Sequence, residues 1–353
     1  MELALYCPDC GFYEKEKDNV GKRGDFYTSV SVGDLFGQLL AFQFGDWFEG
    51  KVETHETQYG TGGAPLKIVE AGAHDGKLAR DILAWLKMHR PEIFDRLEYY
   101  IVEPSSRRLR WQRETLKDFS EKLRWVSRTA ESKSALPSSY TVFFSNELLD
   151  AMPVHRLGWD AKEKKWFEWG VSLKGGNFVW TRLPARPEHV SRFTFHSVDA
   201  EKLFEILPDG YTLEISPAAE QWWRDAAGVF TRGKLMAIDY GFTADEQFSP
   251  SRVNGTLRAY HRHQVTDDIL AAPGDQDLTA HVNFSVIQKA GESVGLRTEN
   301  FCAQPQFLTR IVEKIFKQPG SFGEWGSKQS RQLQTLVHPE HLGRAFRVLV
   351  QSR

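Results

Sequence analysis

Residues 68–78 read IVEAGAHDGKL, an apolar run that ends in an acid and continues into a turn with two glycines. A helical pattern follows over residues 77–88. Doubly wound α/β folds connect their first strand to their first helix in this way, beneath a bound nucleotide. Glycine serves there because the backbone must turn tightly and come close to the ligand. We therefore predict an α/β fold whose first strand ends near Glu70.

The same turn indicates which nucleotide would bind. A dinucleotide-binding turn has a glycine where His74 stands, and a carboxylate at Glu70 would repel a phosphate group. That carboxylate can instead accept hydrogen bonds from an ammonium group or from water. The spacing of Glu70, Gly72 and Gly76 therefore favours a nucleoside with positive charge, and we predict S-adenosylmethionine (SAM) as the cofactor. An ordinary strand-turn-helix junction explains these residues about equally well.

A second acid, Glu103, follows the next apolar run at residues 97–102. A carboxylate at the end of the second strand can accept hydrogen bonds from both ribose hydroxyls of a nucleotide. The alternative is a surface residue that caps a helix beginning at Pro104. The two roles are compatible, and we predict that Glu103 binds the cofactor.

The composition is that of an ordinary globular protein. The chain has 353 residues, 41% of them hydrophobic, which is enough for one large domain or two unequal ones. A formal net charge of −2 argues against electrostatic binding to nucleic acid or to an anionic membrane. No apolar run approaches the ~18–20 residues that span a bilayer, and the N-terminus lacks the features of a signal peptide or presequence. With too few cysteines for a disulfide framework, we predict a cytoplasmic protein.

The sequence offers few metal ligands. Cys7 and Cys10 have the spacing of a zinc or redox site, but no further ligands stand nearby at matching spacing, and a turn is favoured. A His-x-His pair at His261 and His263 lies among arginines, which disfavour a bound cation. We therefore predict no metal site.

The predicted elements alternate in an α/β order that is interrupted once. After a buried helix at 33–49, strands are expected at 66–70, 98–102, 123–126, 141–145, 234–239 and 345–350, with helices at 77–89, 105–118, 217–229, 284–294, 306–316 and 327–336. Between them, residues 155–210 alternate polar and apolar side chains, which is typical of antiparallel hairpins. We therefore predict an N-terminal helical segment at 1–60, an α/β core at 61–154 and 211–353, and an inserted, smaller β-rich subdomain at 155–210.

A third group of polar residues follows the strand at 141–145. Open α/β sheets bind ligands at the carboxyl ends of their strands, so Asn146, Glu147 and Asp150 are expected to face the same crevice as Glu70. Two neighbouring carboxylates can hold and orient a guanidinium or ammonium group. The alternative is a helix start, with Asn146 as the N-cap and the two acids near the positive helix end. We favour the functional interpretation modestly.

Several motifs together resemble the MidA-like family of class I SAM-dependent methyltransferases. The resemblance spans nearly the whole chain, which starts inside the family's first helix and so suggests a truncated N-terminus. It implies a Rossmann-like, seven-stranded, mostly parallel sheet and SAM as cofactor. For the mitochondrial members, which act in complex I assembly, it implies methylation of a protein arginine. The motifs are residues 24–29 (GDFYTS), 70–76, 146–154 (NELLDAMPV), 238–241, 256–260 and 277–280.

The resemblance also assigns residues to roles. The catalytic residues would be Asn146, Glu147 and Asp150. The partner would be a protein that presents an arginine; a homodimer is compatible with the sequence, and a eukaryotic chain would be mitochondrial once its presequence is removed. Cofactor contacts are expected from Gly24, Asp25, Thr28, Ser29, Glu70, Gly72, Gly76, Glu103 and Asn146.

The glycine motif departs from the family pattern. Ala73 and His74 stand where the family usually has Pro-Gly, and the bulk of His74 would narrow the methionine end of the pocket. Three alternatives therefore stay open. The first is a non-catalytic assembly or client-binding factor with a SAM fold, the second is a small-molecule N- or O-methyltransferase, and the least favoured is an NAD-linked enzyme.

Overall fold

The computed structural model describes most of the chain. The described residues are 1–15, 28–52, 65–131, 139–191, 204–249, 252–261, 264–266, 268–339, 342 and 346–353. Gly24 and Asp25, two of the expected cofactor contacts, lie outside them.

The helices confirm most of those predicted. Two short 3-10 turns, Phe12–Glu14 and Lys117–Lys122, accompany them. The helices are α1 Glu2–Tyr6, α2 Ser29–Val32, α3 Leu35–Val52, α4 Lys77–His89, α5 Pro91–Arg96, α6 Ser106–Thr115, α7 Pro187–Val190, α8 Pro217–Ala227, α9 Ala244–Gln247, α10 Phe284–Glu292, α11 Gln304–Lys317 and α12 Ser327–Val337.

The strands confirm the alternation and add to it. They are β1 Leu66–Ala71, β2 Leu97–Val102, β3 Leu123–Val126, β4 Tyr140–Asn146, β5 His155–Asp160, β6 Lys165–Lys174, β7 Asn177–Pro184, β8 Thr212–Ile215, β9 Gly233–Phe242, β10 Arg258–His261, β11 Gln264–Thr266, β12 Asp277–Thr279, β13 Val282–Asn283, β14 Arg297–Ala303 and β15 Phe346–Ser352.

The chain divides into two compact units. We call the first the sheet unit; it comprises Asn19–Leu148, Arg224–Asp239 and Gly291–Arg353. The second, the hairpin unit, comprises Met1–Asp18, Leu149–Trp223 and Tyr240–Ala290. These bounds differ from the predicted segments, because the hairpins of 155–210 belong to a larger unit that also includes the N-terminal residues.

The sheet unit is built on one mostly parallel sheet. Its strand order is β14-β15-β9-β4-β1-β2-β3. Strand β1 pairs in parallel with β2 on one side and with β4 on the other, and β4 pairs in parallel with β9. All six residues of β1 are buried, which explains the continuous apolar run that this strand shows in the sequence. The prediction of a Rossmann-like methyltransferase fold is confirmed.

This strand order fixes where a ligand would bind. The chain runs outward from β1 to β3 and then returns to place β4 on the opposite side of β1. The order therefore reverses between β1 and β4, and open α/β sheets bind ligands in the crevice beyond such a reversal. The segments that leave the carboxyl ends of β1 and β4 are the glycine turn and the loop that begins with Glu147.

Helices of the sheet unit bury apolar faces that the sequence specifies. Helix α4 turns Leu78, Ile82 and Leu86 into the core and leaves its charged side chains outside. Helix α3 packs against α4, α11 and α12, and it is apolar nearly all round because several of its faces are covered.

The hairpin unit contains two antiparallel sheets. The larger has the order β7-β6-β5-β8, and it confirms the predicted hairpins of residues 155–184. One face of this sheet carries an apolar cluster around Leu157, Trp159, Trp166 and Leu213. The smaller sheet has the order β11-β10-β12 and packs against residues of the N-terminal segment, Leu5 and Phe12 among them.

The structure corrects several predicted elements. The long loop expected after β9 holds β10 to β13, whose strands of two to four residues are too short to show a clear alternation. Strand β9 continues to Phe242, so Asp239 lies within the strand rather than at its end. The helix predicted at 105–118 ends at Thr115 and is followed by a 3-10 turn. Among the described residues, no helix has both the length and the apolar character that crossing a bilayer requires.

Candidate functional site

Two glycines after β1 have left-handed backbones that only glycine adopts without strain. The φ angles of Gly72 and Gly76 are +79° and +85°. A Cβ atom at Gly72 would lie 3.2 Å from Leu148 Cδ1, and one at Gly76 would lie 3.0 Å from Leu116 Cδ1. The turn is closed by the backbone N–H of Gly76, which donates to the carbonyl of Ala73 at 2.8 Å. Both glycines are therefore required by the close packing of this turn.

His74 occupies a left-handed position in the same turn, with φ of +47°. Its carbonyl accepts a hydrogen bond from Gln112 Nε2 at 3.0 Å, which holds the backbone in place. The ring lies edge-on to Trp111, with 6.3 Å between centroids, and its Nδ1 is 3.7 Å from Asp75 Oδ1. His74, at a position where the family usually has glycine, thus carries a large side chain that lies near Trp111 and Asp75.

Glu70 lies inside β1 and is buried. Its Oε2 accepts a hydrogen bond from the Tyr99 hydroxyl at 2.6 Å. Burial raises the pKa of the Glu70 carboxyl to about 7; the Tyr99 hydrogen bond opposes that shift, and the Asp75 charge adds to it. This group therefore exchanges its proton near neutral pH.

Glu103 is held rigidly just beyond β2. Its Oε1 accepts from the backbone N–H of Ser105 at 2.9 Å, and its Oε2 accepts from Gln112 Nε2 at 2.7 Å. Gln112 in turn accepts a hydrogen bond from Trp125 Nε1 at 3.0 Å. The following helix begins at Ser106 with Ser105 as its N-cap, so the alternative of a helix starting at Pro104 is wrong.

The loop after β4 presents Asn146 and Glu147. Glu147 has a left-handed backbone with φ of +53°, an uncommon conformation for a residue with a side chain. Its Oε1 accepts from Asn146 Nδ2 at 3.1 Å and from the backbone N–H of Ser29 at 3.4 Å. Within the described residues, no helix begins in this loop, so the helix-start alternative for Asn146 is wrong. Asn146 Oδ1 is buried and has no hydrogen-bond partner among those residues.

Glu147 lies beside a second acid, Asp239 of β9. Burial and, after it, the charge of Asp239 raise the pKa of the Glu147 carboxyl to about 8. Hydrogen bonds from Asn146 and Ser29 and the charge of His74 act in the opposite direction. In the described part of the chain, no arginine or lysine forms an ion pair with Glu147. Glu147 is therefore largely protonated at neutral pH, and a cation brought close to it would favour the ionised form.

The GDFYTS motif reaches this site through its last residues. Thr28 caps helix α2 with its side chain, which accepts from the N–H of Ser31 at 3.2 Å. Ser29, the first residue of that helix, donates its N–H to Glu147 and its hydroxyl to Gln304 Oε1 at 3.2 Å. The structure thus brings Ser29 into contact with Glu147, the residue expected to bind the methyl acceptor.

Asp150 belongs to the hairpin unit and is buried there. Its carbonyl accepts from the N–H of Ala280 at 2.9 Å. Its charge acts on Tyr13 and Tyr260, whose pKa values burial raises in the first place. Tyr13 donates its hydroxyl to Asp277 at 2.8 Å. Asp150 therefore sits in an acidic, tyrosine-rich environment.

The residues present fit a SAM molecule at the sheet unit. The glycine turn follows the carboxyl end of β1, where the strand order reverses. Asn146 Oδ1 is buried and accepts no hydrogen bond from the described residues. Glu103 is a fixed carboxylate just beyond β2, the strand that pairs with β1. The geometry can therefore hold a nucleoside that carries donors and a positive charge.

Sequence reasoning missed the residues that support this site. Gln112 joins Glu103, His74 and Trp125, yet nothing in the sequence distinguishes a buried glutamine in a polar helix. Asp239 belongs to the motif at residues 238–241, but sequence reasoning gave it no role beside Glu147.

Comparison with known proteins gives the family. The model of a family of S-adenosyl-L-methionine-dependent methyltransferases, Methyltransf_28, matches residues 44–302. The mitochondrial protein arginine methyltransferase NDUFAF7 homolog of Drosophila melanogaster is 24% identical over 329 residues, which cover 84% of this chain and 66% of that protein. NDUFAF7 of Danio rerio is 26% identical over 315 residues, with coverages of 83% and 68%. The chain spans about two thirds of the length of the curated relatives it matches.

Solved structures give the same result. A crystal structure of a COG1565 superfamily member from Burkholderia thailandensis, bound to S-adenosyl-homocysteine, is 31% identical with a TM-score of 0.79, and the match covers 100% of this chain and 86% of that one. A second, native structure from the same organism is 30% identical with a TM-score of 0.75 and coverages of 100% and 85%. The chain belongs to the family of S-adenosyl-L-methionine-dependent methyltransferases.

Proposed function

We propose that this protein transfers methyl groups from SAM to an arginine side chain of a protein. The observation that carries the proposal is the acidic pair of Glu147 and Asp239 beside the glycine turn, in a loop where the described residues place no basic partner for Glu147. A cation bound beside this pair would favour the ionised form of Glu147, whose pKa burial and the Asp239 charge raise. The names of the curated relatives support the arginine side chain as this cation.

The cofactor would be held mainly by the sheet unit. When bound, SAM supplies a methyl group on a positively charged sulfur. We assign Glu103 to the ribose hydroxyls, the backbone at Gly72 and Gly76 to close contact with the nucleoside, and Asn146 Oδ1 to a donor of the cofactor. Glu70 would serve its ammonium group. The remaining contacts would come from Gly24, Asp25, Thr28 and Ser29.

Glu147 would orient the acceptor. Both hydrogen bonds that the described residues give to this carboxylate go to Oε1, so Oε2 is the oxygen left for a guanidinium N–H. Arginine is always protonated and is therefore a poor nucleophile. A carboxylate that binds one edge of the guanidinium concentrates positive charge on that side, which leaves the nitrogen at the other side better able to attack. We propose Asp150 as a second acceptor carboxylate, on its charge and its place in the same sequence motif.

The proton balance also involves Glu147. Each methyl group added to a guanidinium nitrogen displaces one proton from it. With a pKa of about 8 in the free protein, the Glu147 carboxyl can take up a proton near neutral pH. Bringing in a guanidinium favours the ionised form, so acceptor binding prepares the carboxylate for that role.

The partner and location follow from the same proposal. The partner would be a protein with an accessible arginine. The named relatives are mitochondrial proteins of animals, which supports a mitochondrial location for a eukaryotic chain; a cytoplasmic location stays a prediction, as do a homodimer and the absence of nucleic-acid binding.

Two measurements test the proposal. Isothermal titration should detect binding of S-adenosyl-homocysteine, and incubation of lysate proteins with labelled SAM should give methylarginine by mass spectrometry. Binding without any transfer would favour the non-catalytic assembly factor, and label in small molecules alone would favour the small-molecule methyltransferase. Absence of both binding and transfer would overturn the proposal.

A further inference from the structure

Two histidines and a glutamate meet in the hairpin unit, in residues to which the methyltransferase chemistry gives no role. Glu168 Oε1 lies 2.7 Å from His155 Nδ1, and Glu168 Oε2 lies 3.1 Å from His189 Nδ1. One ligand atom from each residue falls within 4.8 Å of the other two. We propose that His155, Glu168 and His189 form a binding site for a divalent transition metal, with zinc as the ion that fits best.

The fold brings these residues together from separate elements. In the sheet register, Glu168 of β6 stands opposite Leu157 of β5. Side chains alternate between the faces of a strand, so His155, two residues before Leu157, lies on the same face as Glu168. His189 comes from the short helix α7, which follows β7. Since 13 and 21 residues separate Glu168 from the histidines, no compact sequence motif announces the site.

The distances are close to what zinc requires. Zinc lies about 2.0–2.2 Å from histidine nitrogens and carboxylate oxygens, so two ligand atoms of a tetrahedral site are roughly 3.3 Å apart. The two nitrogen-oxygen distances here, 2.7 and 3.1 Å, need only small side-chain rotations to reach that value. Two neutral imidazoles and one carboxylate are the protein ligands of open zinc sites, in which water occupies the fourth position.

Burial supports an open site. His189 is buried and Glu168 is partly buried, with side chains 6% and 12% exposed, whereas the His155 side chain is 37% exposed. An ion held by the triad would therefore rest on two fixed ligands and face solvent on the side of His155. Among the described residues, Glu168 is the only hydrogen-bond partner of either imidazole, so no other contact would have to break.

The alternative is a hydrogen-bonded triad without metal, in which Glu168 bridges two Nδ1–H groups. The imidazole rings are only 4.0 Å apart between centroids. A single ion between the rings would bind both nitrogens and the carboxylate together. The two arrangements differ in whether the chain binds zinc, which the titration below measures.

The test is a zinc titration of the full, untagged chain after treatment with chelator. It is done in a Cys7→Ser, Cys10→Ser background, because these two sulfurs lie 3.1 Å apart and could themselves bind zinc. We expect one zinc ion per chain with a Kd below about 10 μM. Glu168→Gln and His189→Gln should each weaken binding by about a hundredfold or more. His261→Gln, which alters an exposed histidine of the same unit, should leave the Kd unchanged.

A second measurement does not depend on the variants folding. X-ray absorption of the zinc-loaded protein should give only nitrogen and oxygen ligands at about 2.0–2.2 Å, with two imidazoles. The proposal is overturned if no zinc binds at 100-fold above the expected Kd, if the triad variants bind as tightly as the parent, or if His261→Gln loses affinity equally.

Discussion

At the scale of single residues, the candidate site is a set of carboxyl groups in very different environments. Glu103 is fixed by two hydrogen-bond donors, whereas the buried Glu70 and the partly buried Glu147 have raised pKa values. This difference suits different tasks. A fixed carboxylate such as Glu103 can accept hydrogen bonds from neutral hydroxyl groups. A carboxyl that ionises when a cation approaches, such as Glu147, can bind a guanidinium.

Glu103→Ala should weaken S-adenosyl-homocysteine binding by at least about tenfold. Losing hydrogen bonds to a charged group costs about 1.5–3 kcal/mol, and the variant removes both that the ribose would make. Isothermal titration measures the change, and Glu114→Ala, at an exposed position of α6, is the control. Unchanged affinity in a folded Glu103→Ala protein would remove this residue from the cofactor site.

Glu147→Gln should lower the rate of methyl transfer without weakening cofactor binding. The variant keeps the shape of the side chain but not its charge, so S-adenosyl-homocysteine affinity should stay within about twofold. Methyl transfer should fall about a hundredfold or more, because the acceptor is no longer oriented. Glu92→Gln, at an exposed position of α5, serves as the control. Transfer at the normal rate in both Glu147→Gln and Asp150→Asn would leave arginine supported by family likeness alone.

His74→Gly should tighten S-adenosyl-homocysteine binding by about two- to tenfold. The imidazole is expected to narrow the methionine end of the pocket, and its removal opens that space. Relief of the left-handed backbone acts on free and bound protein alike and so does not change the affinity. Titration of the two proteins gives the ratio of the Kd values. Weaker binding by the glycine variant would mean that the imidazole contacts the ligand and contributes to affinity.

At the scale of elements, the sequence predicted the parallel sheet well because its strands are long apolar runs. Strand β1 and helix α4 are recognisable by their period alone, and the acid after β2 follows from the general place of ligands in such sheets. Strands β10 to β13 could not be predicted, since two to four residues do not define a period. The support that Gln112 gives Glu103 depends on packing between α6 and the turn after β1, which no local pattern records.

The turn after β1 offers a test at this scale. Gly72→Ala should destabilise the protein by about 1–3 kcal/mol, because the new Cβ meets Leu148 and the left-handed backbone becomes strained. Chemical denaturation gives the free energy of unfolding. Gly50→Ala in helix α3 has open space around the added methyl group and should be neutral or stabilising by up to about 1 kcal/mol. Equal effects of the two substitutions would contradict the role of Gly72.

At the scale of the whole molecule, the same carboxyl groups connect the site to the stability of the fold. Folding raises the pKa of Glu70 to about 7 and that of Glu147 to about 8, both well above the ordinary glutamate value. At pH values between the ordinary glutamate pKa and these raised pKa values, the folded state therefore binds more protons than the unfolded state. Its stability should then fall as pH rises through that interval. The candidate site therefore lowers the stability of the fold at neutral and alkaline pH.

The double variant Glu70→Gln, Glu147→Gln removes this dependence. Relative to the parent chain, it should gain on the order of 5 kcal/mol of unfolding free energy between pH 5.5 and pH 8.5, because the neutral amides never ionise. Taking the difference between the two proteins cancels the buried His281, whose pKa burial lowers to about 4 and whose effect on stability has the opposite sign. Urea denaturation at several pH values measures the difference in unfolding free energy between the variant and the parent. A difference that stays constant across this range would show that neither carboxyl has a raised pKa in the folded protein.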